Sequence, residues 1–448
     1  MKKLVLFLCC LTLSYVMVFL NSCKDDNDAD VTPEKMTFAV ISDLHYFDQS
    51  LFDKQSNQAF NAYLAADRKL IRESSVIFES VINNILEQSP DFVLVPGDLT
   101  KDGELINHQA VAKSFDKLIS AGIKVLVVPG NHDVNNPDAY SFLNGTSAKL
   151  QTVTSTEFAS IYGNCGYASA IYRDANSLSY VSEPVNGVWI IAIDACQYDQ
   201  NTTNGSPVTA GQIATDTYSW INSMLSLAKS KNKIVMSMMH HGLVEHFPGQ
   251  STMFSEYLID DWSKKSKALA DSGLSVVFTG HYHANDIVKA TGTGSNFIFD
   301  IETGSTVTYP CPYRLAELNR VTKTLQVVTR RIQDVSYSTI PNGVTFQNYA
   351  KGYVTDGIKL IANYMLTSAP YSIPASYVTA YKMDSIMANA FVAHYAGDET
   401  ALSSDLSDVE KIKTIVPALG SAIGAVWNDP APADNTITIN LTNGEVAQ

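Results

Sequence analysis

The sequence predicts an α/β fold, in which helices cover buried sheet, followed by a helical C-terminal unit. Two observations predict this class. Short continuous apolar runs alternate with amphipathic stretches as far as about residue 283, which is typical of strands buried between helices. From about residue 340, apolar residues instead recur at helical spacing.

The composition excludes several classes of protein. Of 448 residues, 46% are hydrophobic, and 22 Tyr and 18 Phe supply bulk for a core, so a disordered chain is excluded. A formal net charge of −14 argues against a broad nucleic-acid surface, which needs an excess of Lys and Arg. An acidic protein can still bind an anionic substrate where metal ions supply local positive charge.

The N-terminal residues have the features of an export signal. Two lysines precede an apolar run from Leu4 to Leu20, and small or polar residues follow it. The segment Leu20-Asn21-Ser22-Cys23 resembles a bacterial lipobox, in which the cysteine is lipidated. We therefore expect residues 1–22 to be a signal peptide. An uncleaved membrane anchor and simple secretion are the alternatives.

The residues after the signal predict a tether. Residues 23–35 would comprise the lipidated Cys23 and a polar, acidic linker. Lys24-Asp25-Asp26 resembles the export tag of some Gram-negative surface lipoproteins. We therefore expect a cell-envelope protein, held at the bacterial outer membrane through its N-terminal lipid alone.

Six apolar runs predict strands, and five of them end at Asp, Asn or His. The predicted strands are Met36–Ser42, Asp91–Pro96, Ile123–Pro129, Val188–Ile193, Lys233–Met239 and Leu274–Thr279. Helices are predicted over 67–89 and 108–121. Because ligands gather outside the carboxyl ends of strands in open α/β sheets, we expect the polar residues to meet at one edge.

The pattern changes after His283. Residues 286–334 alternate with period two, which predicts antiparallel strands that add a second sheet. A third apolar stripe between Val409 and Ile423, preceded by a capping box at Ser407, predicts one helix, and Thr436–Leu441 predicts a closing strand. We expect one domain over 36–334 and a mainly helical accessory domain over 335–448.

The polar strand ends supply the ligands of a dinuclear metal site. Two ions about 3.5–4 Å apart can hold a hydroxide and clamp phosphoryl oxygens, provided that a carboxylate bridges them. Oxygen and imidazole ligands suit Mn, Fe or Zn, with Mg or Ca as further options. His132 is suited to act as a general acid toward the leaving oxygen. The predicted ligands are Asp43, His45, Asp98, Asn131, His240, His281 and His283.

Five motifs in this order resemble those of the calcineurin-like metallophosphoesterases. They are D-x-H at 43–45, G-D at 97–98, G-N-H-D at 130–133, His240 and G-H-x-H at 280–283. The resemblance covers roughly residues 36–334. It implies a four-layer αββα sandwich of two mixed sheets with flanking helices, and a hydroxide that attacks phosphorus in line.

The resemblance also implies a role for each predicted ligand. One metal would be bound by Asp43, His45 and His283. The other would be bound by Asn131, His240 and His281. Asp98 would bridge the two metals, and His132 would contact the phosphate and the leaving group.

One position departs from two branches of the family. Serine/threonine phosphatases of this superfamily carry an aspartate where this chain has Lys101, so the resemblance does not predict their acid–imidazole pair. Purple acid phosphatases carry an iron-binding tyrosine at that position, so a charge-transfer ferric site is not expected either. The remaining branch hydrolyses small-molecule phosphodiesters or phosphomonoesters, and its members also have G-D-L-T and G-N-H-D.

Two other functions stay open. A non-catalytic metal-binding adaptor on the same fold is one, although adaptors typically lose ligands and this chain keeps them all. A metal-dependent nuclease is the other, and the acidic charge weighs against it. The leaving group would be set by loops whose candidate contacts are Tyr46, Glu245 and Tyr282.

The remaining histidines and cysteines have simpler interpretations. We expect His108 to have a local partner, His241 to support a ligand from behind or to line the cleft, and His394 to be packed in a core. A substrate contact of His246 stays open. The cysteines outside the signal and the lipobox are expected to be buried thiols, with at most one disulfide among them: Cys165, Cys196 and Cys311.

Overall fold

The computed structural model describes residues 34–53, 57–369, 371–397, 399–428 and 430–447. The predicted signal peptide, the lipidated Cys23 and nearly all of the tether lie outside these residues. Among the described residues, no helix combines the length and the apolar character that crossing a membrane requires.

Sixteen strands are present in the described part of the chain. They are β1 (Lys35–Val40), β2 (Phe92–Val95), β3 (Lys124–Val127), β4 (Tyr140–Leu143), β5 (Thr146–Lys149), β6 (Tyr172–Arg173), β7 (Tyr180–Val185), β8 (Val188–Ile193), β9 (Ile234–Met239), β10 (Val276–Thr279), β11 (Ile287–Thr291), β12 (Phe297–Glu302), β13 (Pro312–Asn319), β14 (Thr324–Arg331), β15 (Thr436–Asn440) and β16 (Val446–Ala447).

Thirteen α-helices accompany them in the same described residues. They are α1 (Gln58–Ala65), α2 (Ser74–Gln88), α3 (Leu105–Ser120), α4 (Ser155–Ile161), α5 (Asn201–Asn204), α6 (Thr215–Ser230), α7 (Gln250–Met253), α8 (Trp262–Asp271), α9 (Phe346–Thr367), α10 (Ala375–Ala380), α11 (Met383–Ala396), α12 (Ser403–Ile415) and α13 (Pro417–Val426).

The strands form two seven-stranded mixed sheets and one small hairpin. The first sheet has the order β16-β15-β14-β13-β1-β2-β3, and the second has the order β11-β12-β10-β9-β8-β7-β6. All six predicted strands are present, three in each sheet. The prediction that residues 286–334 add a sheet of their own is wrong, because β11 and β12 extend the second sheet while β13 and β14 extend the first. Alternating hydrophobicity indicates a strand, but it does not indicate the strand's partner.

The two sheets pack face to face, and helices cover the outer face of each. Phe38 of β1 meets Phe278 of β10 edge to face, with ring centroids 5.4 Å apart. Val81 of α2 packs with the first sheet, whereas Ile221 of α6 and Leu269 of α8 pack with the outer side of the second. The fold is therefore the predicted αββα sandwich with a helical C-terminal region.

The C-terminal helices share a separate apolar cluster. The predicted helix through Val409 and Ile423 is divided, because Pro417 has no N–H to continue α12 and instead begins α13. The predicted capping box at Ser407 is also wrong, because α12 begins earlier, at Ser403, so Ser407 lies inside the helix. β15 confirms the predicted closing strand and pairs with β14. The domain boundary near residue 334 stays a prediction.

Candidate metal centre

All eight predicted site residues follow strands of the two sheets and lie together at one edge. Residues far apart in the chain meet there. His45 and His283 are 238 positions apart, and their Nε2 atoms are 3.1 Å from each other. His240 and Asn131 are 109 positions apart, with 3.1 Å between Nε2 and Oδ1. The eight residues are Asp43, His45, Asp98, Asn131, His132, His240, His281 and His283.

Asp98 lies at the centre of this group. Its Oδ2 atom is 3.5 Å from His45 Nε2 and 3.4 Å from His240 Nε2. The same oxygen is 4.0 Å from His132 Nε2. One carboxylate oxygen therefore faces imidazoles from both predicted metal positions, as a bridging ligand must.

The other ligands divide into two groups around this carboxylate. On one side, His283 Nε2 is 3.4 Å from Asp43 Oδ1, and ligand atoms of Asp43, His45 and His283 all lie within 4.8 Å of one another. On the other side, the same holds for Asp98, His240 and His281. The grouping is the one that the resemblance implies.

The donor set and its spacing fit metal ions. Two atoms that each lie about 2.1 Å from an ion are roughly 3.0 Å apart at a right angle and 3.4 Å apart at a tetrahedral angle. The distances of 3.1 to 3.4 Å around His45, His240 and Asp98 fall in this range, and the 3.5 Å between His45 Nε2 and Asp98 Oδ2 is just above it. Imidazole nitrogens and carboxylate oxygens are also the ligands that transition metals prefer.

Neighbouring groups orient the histidines. His240 Nδ1 is 2.9 Å from the carbonyl of Pro96, so it donates there and Nε2 is left to bind a cation. His283 Nδ1 is held by Thr308 Oγ1 at 3.2 Å. His281 differs, because its Nε2 lies 3.3 Å from the carbonyl of Glu256 and Nδ1 is left free. These orienting groups could not be identified from the sequence, since they come from distant loops without a motif.

The motif glycines make room for the carboxylates. A Cβ atom at Gly130 would lie 2.1 Å from Asp98 Oδ1, and one at Gly280 would lie 2.4 Å from Asp43 Oδ2. The backbone itself is strained here, since Asp43 and Asp98 both have a positive φ, at 51° and 47°. Such strain is concentrated at functional sites, where the surrounding structure holds it in place.

Burial determines the protonation state of most candidate ligands. It lowers the pKa of His45, His281 and His283, so these imidazoles are neutral and able to bind metal. Burial also opposes protonation of His240, but the charge of Asp98 raises the pKa of His240 to about 9. Without a cation, a proton is therefore held between His240 and Asp98, and metal binding must release it.

His132 has the acid partner that the resemblance did not predict. Its Nδ1 is 2.8 Å from Asp102 Oδ1, so an acid–imidazole pair is present although Lys101 occupies the usual position. Lys101 is fully buried, pairs with Asp102 and lies 3.2 Å from Glu104. The carboxylate that pairs with His132 comes from the residue directly after Lys101. The acidic residue at position 102 was the signal in the sequence that could have identified this partner.

Asp133, the last residue of G-N-H-D, joins the two central loops. Its carboxylate accepts hydrogen bonds from the amides of Leu99, Thr100 and Gly130 and from the Thr100 hydroxyl, at 2.9 to 3.1 Å. Burial, followed by the charge of Asp98, raises the pKa of Asp133 to about 7. Asp133 therefore positions the ligand loops and was not identified as a functional residue from the sequence.

The other histidines have structural partners. His108 is buried between Tyr162 OH and the carbonyl of Asp133, which confirms its local role. The ring of His241 meets that of His281 edge to face, with ring centroids 4.5 Å apart, and His241 Nε2 is 2.9 Å from the carbonyl of Thr209. His241 is fully buried, so it supports His281 and does not line the cleft. His246 is fully buried and therefore does not contact substrate. His394 is buried as predicted, and it also pairs with a carboxylate.

The predicted loop contacts and cysteines have different outcomes. Tyr46 donates to Asp48, and Glu245 accepts from Ser251, so both are engaged within their own loops. Tyr282 lines a cavity beside His281. The three thiols are free, with Cys165 and Cys311 buried and Cys196 half-buried.

One family profile covers the part of the chain that carries this site. The profile of the family described as calcineurin-like phosphoesterase matches residues 36–285, more than half of the chain. No curated protein sequence matches. A dimetal phosphatase from Danio rerio is 14% identical, with a TM-score of 0.44, over 68% of this chain and 99% of that one. The purple acid phosphatase PPD1 from yellow lupin seeds is 10% identical, with a TM-score of 0.36, over 66% and 52%. The chain belongs to the calcineurin-like phosphoesterases, and it is a metal-dependent phosphoester hydrolase.

Proposed function

We propose that this protein hydrolyses small-molecule phosphoesters whose leaving group is apolar, using two metal ions held around Asp98. One observation carries the proposal: Asp98 Oδ2 faces imidazoles of both ligand groups, and an apolar cavity begins beside the second group. Asp43, His45 and His283 hold one ion, and Asn131, His240 and His281 hold the other.

The protein's own residues then position the reaction. When bound, two such ions neutralise charge on a phosphoryl group and lower the pKa of a water molecule. His132 is the site residue within reach of substrate, because its side chain is 22% exposed whereas that of Asp98 is 1% exposed. Burial opposes protonation of His132, but Asp98 and Asp102 raise its pKa, which favours the charged form that donates a proton to the leaving oxygen.

The cavity beside His281 supports an apolar leaving group. It has a volume of about 210 Å³. The ring of Tyr257 at its edge is 4.7 Å from that of His281. Its walls include Phe254, Met365 and Phe391, which also line a neighbouring cavity of about 580 Å³. An extended apolar group attached to phosphate would therefore find continuous apolar surface.

Arg68 gives this cavity a positive end. It lines the apolar walls, and its Nε donates to Tyr395 OH at 3.0 Å. Its charge also lowers the pKa of His283, after the larger effect of burial. A guanidinium between the metal centre and an apolar surface suits a phosphate that carries an apolar substituent.

The adaptor and nuclease alternatives have less support. An adaptor has no need of the full ligand set or of the oriented His132–Asp102 pair, and both are present. A nuclease needs positive charge along a strand of nucleic acid, whereas this chain has a net charge of −14.

We also propose that the protein is lipid-anchored in the cell envelope through Cys23. Membrane fractionation of a Cys23→Ser variant tests this, and unchanged membrane attachment would contradict it.

A chain-length series tests the proposed substrate class. The purified protein, reconstituted with Mn²⁺ or Zn²⁺, is assayed on phosphodiesters and phosphomonoesters of alcohols with increasing alkyl length. Each buried methylene adds about 0.8 kcal/mol, so kcat/KM should rise by up to about fourfold per methylene. Met365→Gln should flatten this dependence, whereas Leu360→Gln, on the exposed side of the same helix, should not. A kcat/KM independent of chain length would exclude the apolar subsite, and no turnover of any phosphoester would favour the adaptor.

A further inference from the structure

A second cluster of metal-ligating side chains lies outside the centre described above. Asp286 immediately precedes β11 of the second sheet, His394 is in the last turn of α11, and Glu399 follows that helix. One ligand atom from each lies within 4.8 Å of the others. All three side chains are buried, Asp286 and His394 completely and Glu399 to 7% exposure.

The distances within this cluster suit a shared cation. His394 Nδ1 is 3.5 Å from Asp286 Oδ2 and 2.8 Å from Glu399 Oε1. One separation lies just below and the other just above the range of roughly 3.0 to 3.4 Å expected for atoms about 2.1 Å from one ion, so small shifts of these side chains would place the three atoms around a cation. The longer contact exceeds ordinary hydrogen-bond length, so a hydrogen bond does not account for the approach of Asp286.

Each of the three side chains keeps one polar atom unsatisfied. Asp286 Oδ2, Glu399 Oε2 and His394 Nε2 are buried without a hydrogen-bond partner. Leaving a buried polar atom unsatisfied costs about 1–3 kcal/mol, and more for a charged group. Asp286 Oδ2, which faces His394 Nδ1 at 3.5 Å, therefore lacks a partner that a bound cation would supply.

Surrounding groups hold the ligands in place, as they do in established metal sites. The second oxygen of Asp286 is 2.9 Å from His246 Nδ1. His246 Nε2 in turn lies 3.5 Å from carboxylate oxygens of Asp300 and Glu302. The buried guanidinium of Arg314 donates to backbone carbonyls, among them those of Asp286 and Glu302.

We propose that Asp286, His394 and Glu399 bind a third cation, a divalent transition-metal ion such as Zn²⁺. The ligands include two carboxylates and one imidazole, a donor set that zinc and manganese accept. Asp286 lies directly before β11 of the second sheet, whereas His394 and Glu399 belong to the C-terminal helical region. The ion joins these two parts of the chain, so its role is structural.

The experiment separates this site from the dinuclear centre. In the full chain carrying Asp98→Asn and His240→Ala, which disable the bridging ligand and the second position, Zn²⁺ content and the Zn²⁺-induced shift in Tm are measured. We expect Glu399→Gln to lose one Zn²⁺ per chain and to abolish most of that shift. Glu410→Gln, an exposed substitution on α12, is the matched control and should change neither.

A second variant and a measurement of folding distinguish loss of the site from a folding defect. His394→Gln should show the same loss of one Zn²⁺, and circular dichroism at low temperature establishes that each variant is folded. If folded Glu399→Gln and His394→Gln bind as much Zn²⁺ as Glu410→Gln, the third site does not exist and the cluster is a hydrogen-bonded network. Because activity is not measured, failure of the proposed phosphoesterase reaction would leave this result unaffected.

Discussion

The pair formed by Asp102 and His132 makes the most specific prediction about catalysis. Asp102→Asn keeps the shape of the side chain and removes the charge that faces His132 Nδ1 at 2.8 Å. A hydrogen bond to a charged group contributes about 1.5–3 kcal/mol. If that contribution is made when His132 protonates the leaving oxygen, kcat should fall about 10- to 150-fold. KM should change little.

The pH–rate profile adds a readout that a structural role would not move. Burial lowers the pKa of His132, whereas the charges of Asp98 and Asp102 raise it above its ordinary value. Loss of the Asp102 charge therefore lowers the pKa of His132. Because His132 acts as an acid in its protonated form, the fall in kcat at high pH should begin at a lower pH in Asp102→Asn.

The matched control removes charge from the same buried network without touching His132. Glu104 is the second partner of Lys101, at 3.2 Å, so Glu104→Gln also weakens the charge balance of Lys101. It should lower Tm while leaving the pH–rate profile in place. In a His132→Gln background, Asp102→Asn should cost nothing further. Full additivity of the two substitutions, or a wild-type kcat in Asp102→Asn, would refute the reasoning.

Three further predictions concern the metal centre. Asp98→Ala should abolish dinuclear assembly, and elemental analysis that still finds two ions at this centre would contradict the bridging role. His132→Ala should retain both ions but lose much of kcat, so metal loss in this variant would show that His132 is a ligand. Since Asp98 raises the pKa of His240 to about 9 against the effect of burial, a proton competes with metal below that pH. Apparent affinity should therefore rise about tenfold per pH unit up to about pH 9, and calorimetry that finds a constant affinity would contradict this.

Much of the candidate centre could be predicted because its proposed ligands are encoded locally. A strand that is buried on both faces is a continuous apolar run, and the residues that follow it must lie at the sheet's edge. Asp43, Asp98 and His240 each follow such a run, so their meeting was predictable without knowing which strands pair. The glycines of the G-D, G-N-H-D and G-H-x-H motifs were equally informative, since only glycine leaves room for a carboxylate as close as Asp98 is to Gly130.

The sequence by itself determined the types of the candidate ligands, their position after strands and the helical character of the C-terminal region. Only the tertiary structure decided how the strands divide between two sheets, that Asp102 replaces the acid expected at Lys101, and that Asp286 meets His394. The physical reason is the range of the interactions involved. Periodicity and strand-end chemistry depend on neighbouring residues, whereas sheet partners, buried charge pairs and cavity walls depend on segments brought together only when the core forms.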